Sequence, residues 1–239
     1  ENTSRAIIGN FGQGGFGDIA WVPAPGVREP KGIRTVADWY MAALLYPDYI
    51  RGIYDLQLEI ALQNLVMYKQ AVGDRLAAIF VSGTDFGRQT GPFISPDLYR
   101  ELYKPRHKAI NDWVHAHTGW KTFFHSCGSM VALFDDMVEA GVDIVNPVQI
   151  SATGMAPQTL KERWGDRLVF WGGGVDTQRV LPFGTPAQVR QQVLERCEIF
   201  ARGGGFVFNP IHNVQSRVPQ ANLVALYEAV REYRAYPVA

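Results

Sequence analysis

Short apolar runs alternate along the chain with longer stretches in which apolar residues recur every three or four positions. Six runs are rich in valine, isoleucine and phenylalanine: "AIIGNF", "LAAIFVSG", "KTFFHSC", "VDIVNPVQ", "LVFWGGG" and "GGFVFNPIH". Unbroken apolarity suits strands buried on both faces, and the helical period between them suits crossover helices. The pattern predicts an α/β protein of repeated strand–helix units around a parallel sheet. Several helix ends are legible. Ser95 before Pro96, and Thr185 before Pro186, set an N-cap hydroxyl ahead of a proline at the first helical position, where the missing N–H does no harm. The helix begun at Thr185 should close at Gly203 to Gly205. A helical stretch from Thr35 to Val72 should break or kink at Pro47, and Val22 to Gly32, with three prolines and two glycines, reads as an extended loop, a lid or an interface arm.

Nearly every run ends in a small polar cluster: Asn10 with Gln13, Asp85 with Gln89, His125 with Cys127, Asn146 with Gln149, Asp176 with Gln178, and Asn209 with His212. Six units alone suit an open doubly wound sheet. In a (β/α)8 barrel, however, the C-terminal strand ends converge on one axial pocket, and a site fed by every strand is what a barrel builds. The expected architecture is therefore of the TIM-barrel type, one domain over residues 1–239.

Composition narrows the function classes. Of 239 residues, 47% are hydrophobic and 19% charged, with 23 basic and 23 acidic side chains. That balance leaves no basic surplus for nucleic acid. No apolar run reaches the roughly 20 residues needed to span a bilayer. Cys127 and Cys197 could form at most one bridge, so a reducing compartment, by default the cytoplasm, is expected. A small-molecule substrate is the expected partner, with neither nucleic acid nor membrane.

Imidazole and thiolate two residues apart, His125 and Cys127, form good zinc chemistry, and catalytic zinc takes three protein ligands with one position open. His212 at the last strand end is the natural third. Against this stands a packing role for Cys127, or a nucleophilic one with a histidine base. Asp85 could be a proton donor, an acceptor for substrate N–H groups, a further ligand or a turn-forming residue. Asp176 invites the pocket and turn readings alike, and the glycines before it suggest a closely approached backbone. "FGQGGFGD" fits a mobile active-site loop better than a phosphate cradle. His107, His115 and His117 read as surface residues, and Cys197 as core.

"SGTDFGRQTGPFISPDLYRELYKPRHKAI", "FFHSCGSM", "LVFWGGGVDTQRVLPFGTPAQVRQQV" and "GGGFVFNPIHNVQSRVPQANLVAL" together resemble the uroporphyrinogen decarboxylase superfamily. The resemblance implies a (β/α)8 barrel, with the visible runs as its third to eighth strands and two units lying before Glu1. It also implies two branches. In the zinc-dependent methyltransferases that serve corrinoid proteins, a His-x-Cys pair after the fifth strand and a cysteine after the eighth hold zinc. Here His125 and Cys127 match the pair, and His212 stands where the last cysteine would be. The decarboxylase branch is cofactor-free; "FNPIHN" resembles its Phe-Asn-x-x-His-Gly stretch but gives no reason for "HSC". The resemblance favours a methyltransferase moving a methyl group between a corrinoid carrier, held by a partner protein, and a small acceptor. His125, Cys127 and His212 would hold zinc, with Asp85, Asp176 and His212 as catalytic residues. Gln89, Asn146, Gln149, Gln178 and Asn209 would contact substrate. A tetrapyrrole decarboxylase and a non-catalytic binding barrel remain the alternatives, and a homodimer fits the proline-rich arm.

Overall fold

The computed structural model describes residues 3–12 and 14–233; Gln13 lies outside them. Strands and helices alternate in the order β1 (Ile8–Asn10), α1 (Val36–Leu45), α2 (Pro47–Val72), β2 (Ala78–Ser82), then a hairpin of β3 (Gly87–Arg88) and β4 (Gly91–Pro92). There follow α3 (Pro96–Leu98), α4 (Lys104–His117), β5 (Lys121–His125), α5 (Phe134–Glu139), β6 (Ile144–Asn146), α6 (Pro157–Trp164) and β7 (Val169–Trp171). The chain continues through α7 (Val180–Phe183), α8 (Pro186–Ala201), β8 (Phe206–Val207) and α9 (Gln220–Glu232). Each of the six apolar runs contributes one strand of parallel structure, so the α/β class and the six strand–helix units are as the pattern required. No helix among the described residues is long and apolar enough to cross a membrane.

The chain packs as two compact units. The first comprises residues 1–86, 93–126 and 135–143; the second comprises 87–92, 127–134 and 144–239. In the first, β1 pairs with β2 (Ile8 with Ala78) and β2 with β5 (Ala78 with Lys121), all parallel. Between Phe80 and Ser82 the β2 register shifts, and such a bulge re-aims the strand end that leads to Asp85. In the second unit β7 pairs with β6 and β8, Phe170 lying opposite both Val145 and Phe206. A run of aromatic contacts, Phe134–Phe170–Phe200–Phe206, forms its core, with ring centroids 5.3 to 6.5 Å apart.

Local chemistry explains the helix ends. Ser95 Oγ accepts the Leu98 N–H at 3.1 Å, and Thr185 forms a reciprocal capping box with Gln188. Between α3 and α4, Tyr99–Tyr103 winds as a π-turn rather than continuing one regular helix. Pro105 has no N–H to give the Glu101 carbonyl, and the wider turn accommodates it. The Arg106 guanidinium supplies the missing donor, reaching the Glu101 and Leu102 carbonyls at 3.3 and 3.0 Å.

His107 corrects the surface reading of that helix. It is fully buried, ringed by Phe16, Phe86, Tyr99, Tyr103 and Phe124. Its Nδ1 meets the Tyr99 hydroxyl at 3.2 Å and its Nε2 has no partner among the described residues, while burial pushes its pKa down to about 3. His115 pairs with Asp143 at 2.7 Å near the surface, and His117 stacks on Trp113.

Candidate functional site

The C-terminal ends of β2 and β5 frame a cleft of about 660 Å³ within the first unit. His125 ends β5 and enters the cleft beside Phe80, with ring centroids 6.4 Å apart. The glycine-rich segment after β1 forms the facing wall and delivers Asp18, whose Oδ1 accepts the Ala20 N–H at 2.9 Å. Burial raises the Asp18 pKa above the usual carboxylate range, the negative charge of Asp85 adds to the rise, and the Ala20 N–H and His125 oppose it. Tyr40 lies within electrostatic reach of Asp85 and Asp18, and burial together with the neighbouring acids drives its pKa upward. Its phenol therefore stays protonated and acts as a hydrogen-bond donor or acceptor.

Three metal-ligating atoms meet at this strand end. The donor atoms of Asp85, His125 and Cys127 all lie within 4.8 Å of one another, each side chain half-buried. Ser126 Oγ, next to His125, accepts the N–H of Phe86, next to Asp85, at 2.8 Å. The turn that carries Cys127 is held as firmly: Gly128 N–H donates to Gln149 Oε1 at 2.8 Å, and Ser129 N–H to the Arg88 carbonyl at 2.9 Å. Gly87 and Gly128 make this approach possible. A Cβ on Gly87 would stand 2.5 Å from the Cys127 carbonyl oxygen, and one on Gly128, whose φ is +89°, 2.2 Å from the Gly87 carbonyl carbon.

A carboxylate, an imidazole and a thiolate are all zinc ligands, and three protein donors leave a fourth tetrahedral position for a small molecule. The donor set fits zinc. Asp85 completes this group. His212, expected from the sequence as a ligand, is exposed, with Nδ1 3.4 Å from the Asn213 carbonyl. Neither Cys127 nor Cys197 is in a disulfide.

The remaining site residues named from the sequence are in the second unit, engaged with their own surroundings. Gln149 Nε2 donates to Gln89 Oε1 at 2.9 Å, and Gln89 Nε2 to the Ser151 carbonyl. Gln178 Oε1 is 3.5 Å from Ser151 Oγ. Asn146 donates to the Trp171 carbonyl and Asn209 to the Pro210 carbonyl, each at 2.9 Å. Asp176 Oδ1 accepts the Gln178 and Arg179 N–H groups at 2.7 and 3.0 Å, the work of a turn-forming aspartate. The close approach expected at the preceding glycines is real, but protein makes it: a Cβ on Gly174 would meet the Phe208 ring at 2.3 Å.

Asp18 is the residue the sequence reading passed over. Its signal was the glycine cluster directly before it, at the end of the first apolar run. Nothing local indicated that its carboxyl would come within range of Asp85 and His125.

Six parallel strands alternating with helices, with chemistry gathered at strand C-termini, define a β/α enzyme-type architecture. The family comparison is more specific. The uroporphyrinogen decarboxylase (URO-D) model matches residues 24–233, and the chain belongs to that family. Among solved structures it is similar to a methyltransferase from Methanosarcina mazei, with a TM-score of 0.68 and 19% sequence identity. That match covers 98% of this chain and 60% of the other, so the chain spans less than two thirds of that protein's length. Comparison with curated proteins gives no match.

Proposed function

We propose that the chain carries the metal centre of a zinc-dependent methyltransferase, moving a methyl group between a corrinoid carrier on a partner protein and a small acceptor. The observation that carries the reading is the convergence of Asp85, His125 and Cys127 at one strand end. These three residues would hold zinc, which when bound supplies Lewis acidity toward the acceptor at its open position. The chain's own groups do the rest. The Phe86–Ser126 hydrogen bond ties the residue after Asp85 to the residue after His125, and the Gly87–Gly128 contact sets the hairpin against the turn that carries Cys127. His125 and Asp18 line the cleft in which the acceptor would sit, and Tyr40 supplies a protonated phenol near both acids.

Elemental analysis of protein purified without added metal tests this reading. Near-stoichiometric zinc should be present in the wild type and in His212→Ala, and lost in Cys127→Ala and His125→Ala. Asp85→Asn should weaken retention, because an amide is a poorer donor than a carboxylate. Zinc retained in Cys127→Ala, or no metal in the wild type even after reconstitution, overturns the proposal.

One observation favours a second reading. A carboxyl whose pKa burial and the neighbouring Asp85 raise, as they do for Asp18, is a better proton carrier than an ordinary one and can deliver a proton to a carbon that has lost carbon dioxide. This is a metal-free decarboxylase of tetrapyrrole carboxylates. Chelator-treated protein that still releases carbon dioxide from uroporphyrinogen would establish it in place of the first.

A further inference from the structure

The cleft that holds His125 continues into a second hollow of about 400 Å³, also built wholly from the first unit. Gly15, Asp18, Trp21 and Gln57 line both, so the two spaces share a wall. The second has a different chemistry. Lys31 and Arg34, from the end of the proline-rich loop, line it, and neither has a carboxylate partner among the described residues. Arg34 is held by a hydrogen bond from Nη1 to the Val22 carbonyl at 3.3 Å, which leaves the rest of its fork available. Flat apolar surfaces face the same space: Trp21, an indole 68% exposed that nothing in the fold requires to be so, with Trp39 and Tyr49.

Gln57 supplies an independent pointer. It sits on α2 one turn beyond buried Tyr54, lines both hollows, and its Oε1 is buried without a hydrogen-bond partner among the described residues. Buried carbonyl oxygens are nearly always satisfied, and an exception calls for a missing donor. A bound molecule carrying an N–H or O–H group would provide one.

We propose that the second hollow binds a small organic acid with a flat apolar body. Its anionic group pairs with Lys31 and Arg34, its body lies against Trp21, Trp39 and Tyr49, and a donor on it meets Gln57. The acid's reacting end then extends past Gly15 toward His125. This assigns a substrate class to the cleft of the proposed function and rests on that cleft being the reaction site. It does not depend on zinc.

The test is calorimetric titration of the purified protein, with and without chelator, using 4-hydroxybenzoate, benzenesulfonate and benzamide. Both acids should bind saturably and about tenfold or more tighter than the neutral amide, since charge-assisted hydrogen bonds exceed neutral ones by that order. The double variant Lys31→Gln/Arg34→Gln, both sites being exposed, should lose that advantage while leaving benzamide binding as it was. Gln57→Leu should weaken 4-hydroxybenzoate more than benzenesulfonate, which has no donor. Acids that bind no tighter than benzamide, or equally well to the double variant, overturn the proposal. So does acid binding that disappears with chelator or in Cys127→Ala, because the acid would then be sitting on the metal; that result leaves the zinc reading standing. Acid binding that persists in protein shown to hold no zinc supports this inference and separates it from the metal reading.

Discussion

Replacing His107 with phenylalanine should flatten the dependence of stability on pH on the acid side of neutrality. The imidazole is enclosed by five aromatic rings, one of them Phe124 edge-on at 4.9 Å, and among the described residues no carboxylate stands near enough to support its charge. Burial therefore holds it neutral, with a pKa of about 3. In the unfolded chain an ordinary histidine titrates near 6.5. The folded-state value is depressed, so the stabilisation is complete above about pH 6.5 and is lost as the pH falls toward 3, while the unfolded chain takes up a proton that the folded chain refuses. Each pH unit in that window costs about 1.4 kcal/mol, which gives a loss of about 2 kcal/mol by pH 5. Phenylalanine fits the same aromatic box but leaves the Tyr99 hydroxyl without its partner, a cost of about 1–3 kcal/mol at neutral pH. The quantity to measure is the difference in urea unfolding free energy between wild type and variant at several pH values, because every other titrating group cancels in it. The difference should narrow by about 2 kcal/mol from neutral pH to pH 5. Parallel curves would refute the reasoning, as would an imidazole C–H resonance for His107 that titrates in the folded protein near 6.5.

Three further outcomes follow from the same structure. Gly128→Ala puts a methyl group against the Gly87 backbone at a φ of +89°, and should cost more than about 2 kcal/mol in thermal or urea unfolding while lowering metal retention, since the turn that moves carries Cys127. Cys197 is 3% exposed and burial pushes its thiol up to about 11, so a disulfide reagent under mildly alkaline native conditions should leave Cys197 unmodified and reach it only after unfolding, read by mass spectrometry of the labelled peptide. Burial works to raise the Asp136 pKa, but hydrogen bonds from Arg100 and Lys104 outweigh it and hold the carboxyl below its ordinary range; Asp136→Asn should therefore destabilise the protein by about 1–3 kcal/mol, a value discounted for the half-exposed Arg100, with the deficit shrinking in acid as the wild-type carboxyl protonates.

What could be read from the sequence divides along the range of the interactions involved. Ser95, Thr185, Pro47 and the glycines after α8 act within one turn of chain, and each fixed an element end that the structure repeats. The six strands were legible because burial on both faces leaves an unbroken apolar run. The π-turn also had a local signal, Pro105 inside a helical period, though only the Arg106 contacts explain how its freed carbonyls are satisfied. His107 is an intermediate case. It falls in the buried stripe with Ile110 and Val114, a period that the surface reading overlooked, and the rings that enclose it come from segments beginning near Phe16, Phe86 and Tyr99.

The candidate site shows where that local reading stops. His125 and Cys127 were legible as a pair because two residues of backbone keep them together, and Asp85 was recognisable as a group with several uses. That Asp85 stands beside them could not be read, because sequence spacing says nothing of which strand ends meet across the roughly forty residues between Asp85 and His125. The decisive local features were instead small and uninformative in isolation: a serine hydroxyl at Ser126 that takes the Phe86 N–H, and two glycines that allow backbones to touch. A side chain at either glycine would push the Cys127 turn away from the β3–β4 hairpin. The geometry of the metal-ligating group thus depends on residues that carry no metal-binding chemistry. Substitutions at Gly87, Ser126 and Gly128 should impair metal retention while leaving every ligand in place, and that separates a positioned site from a chance meeting of three side chains.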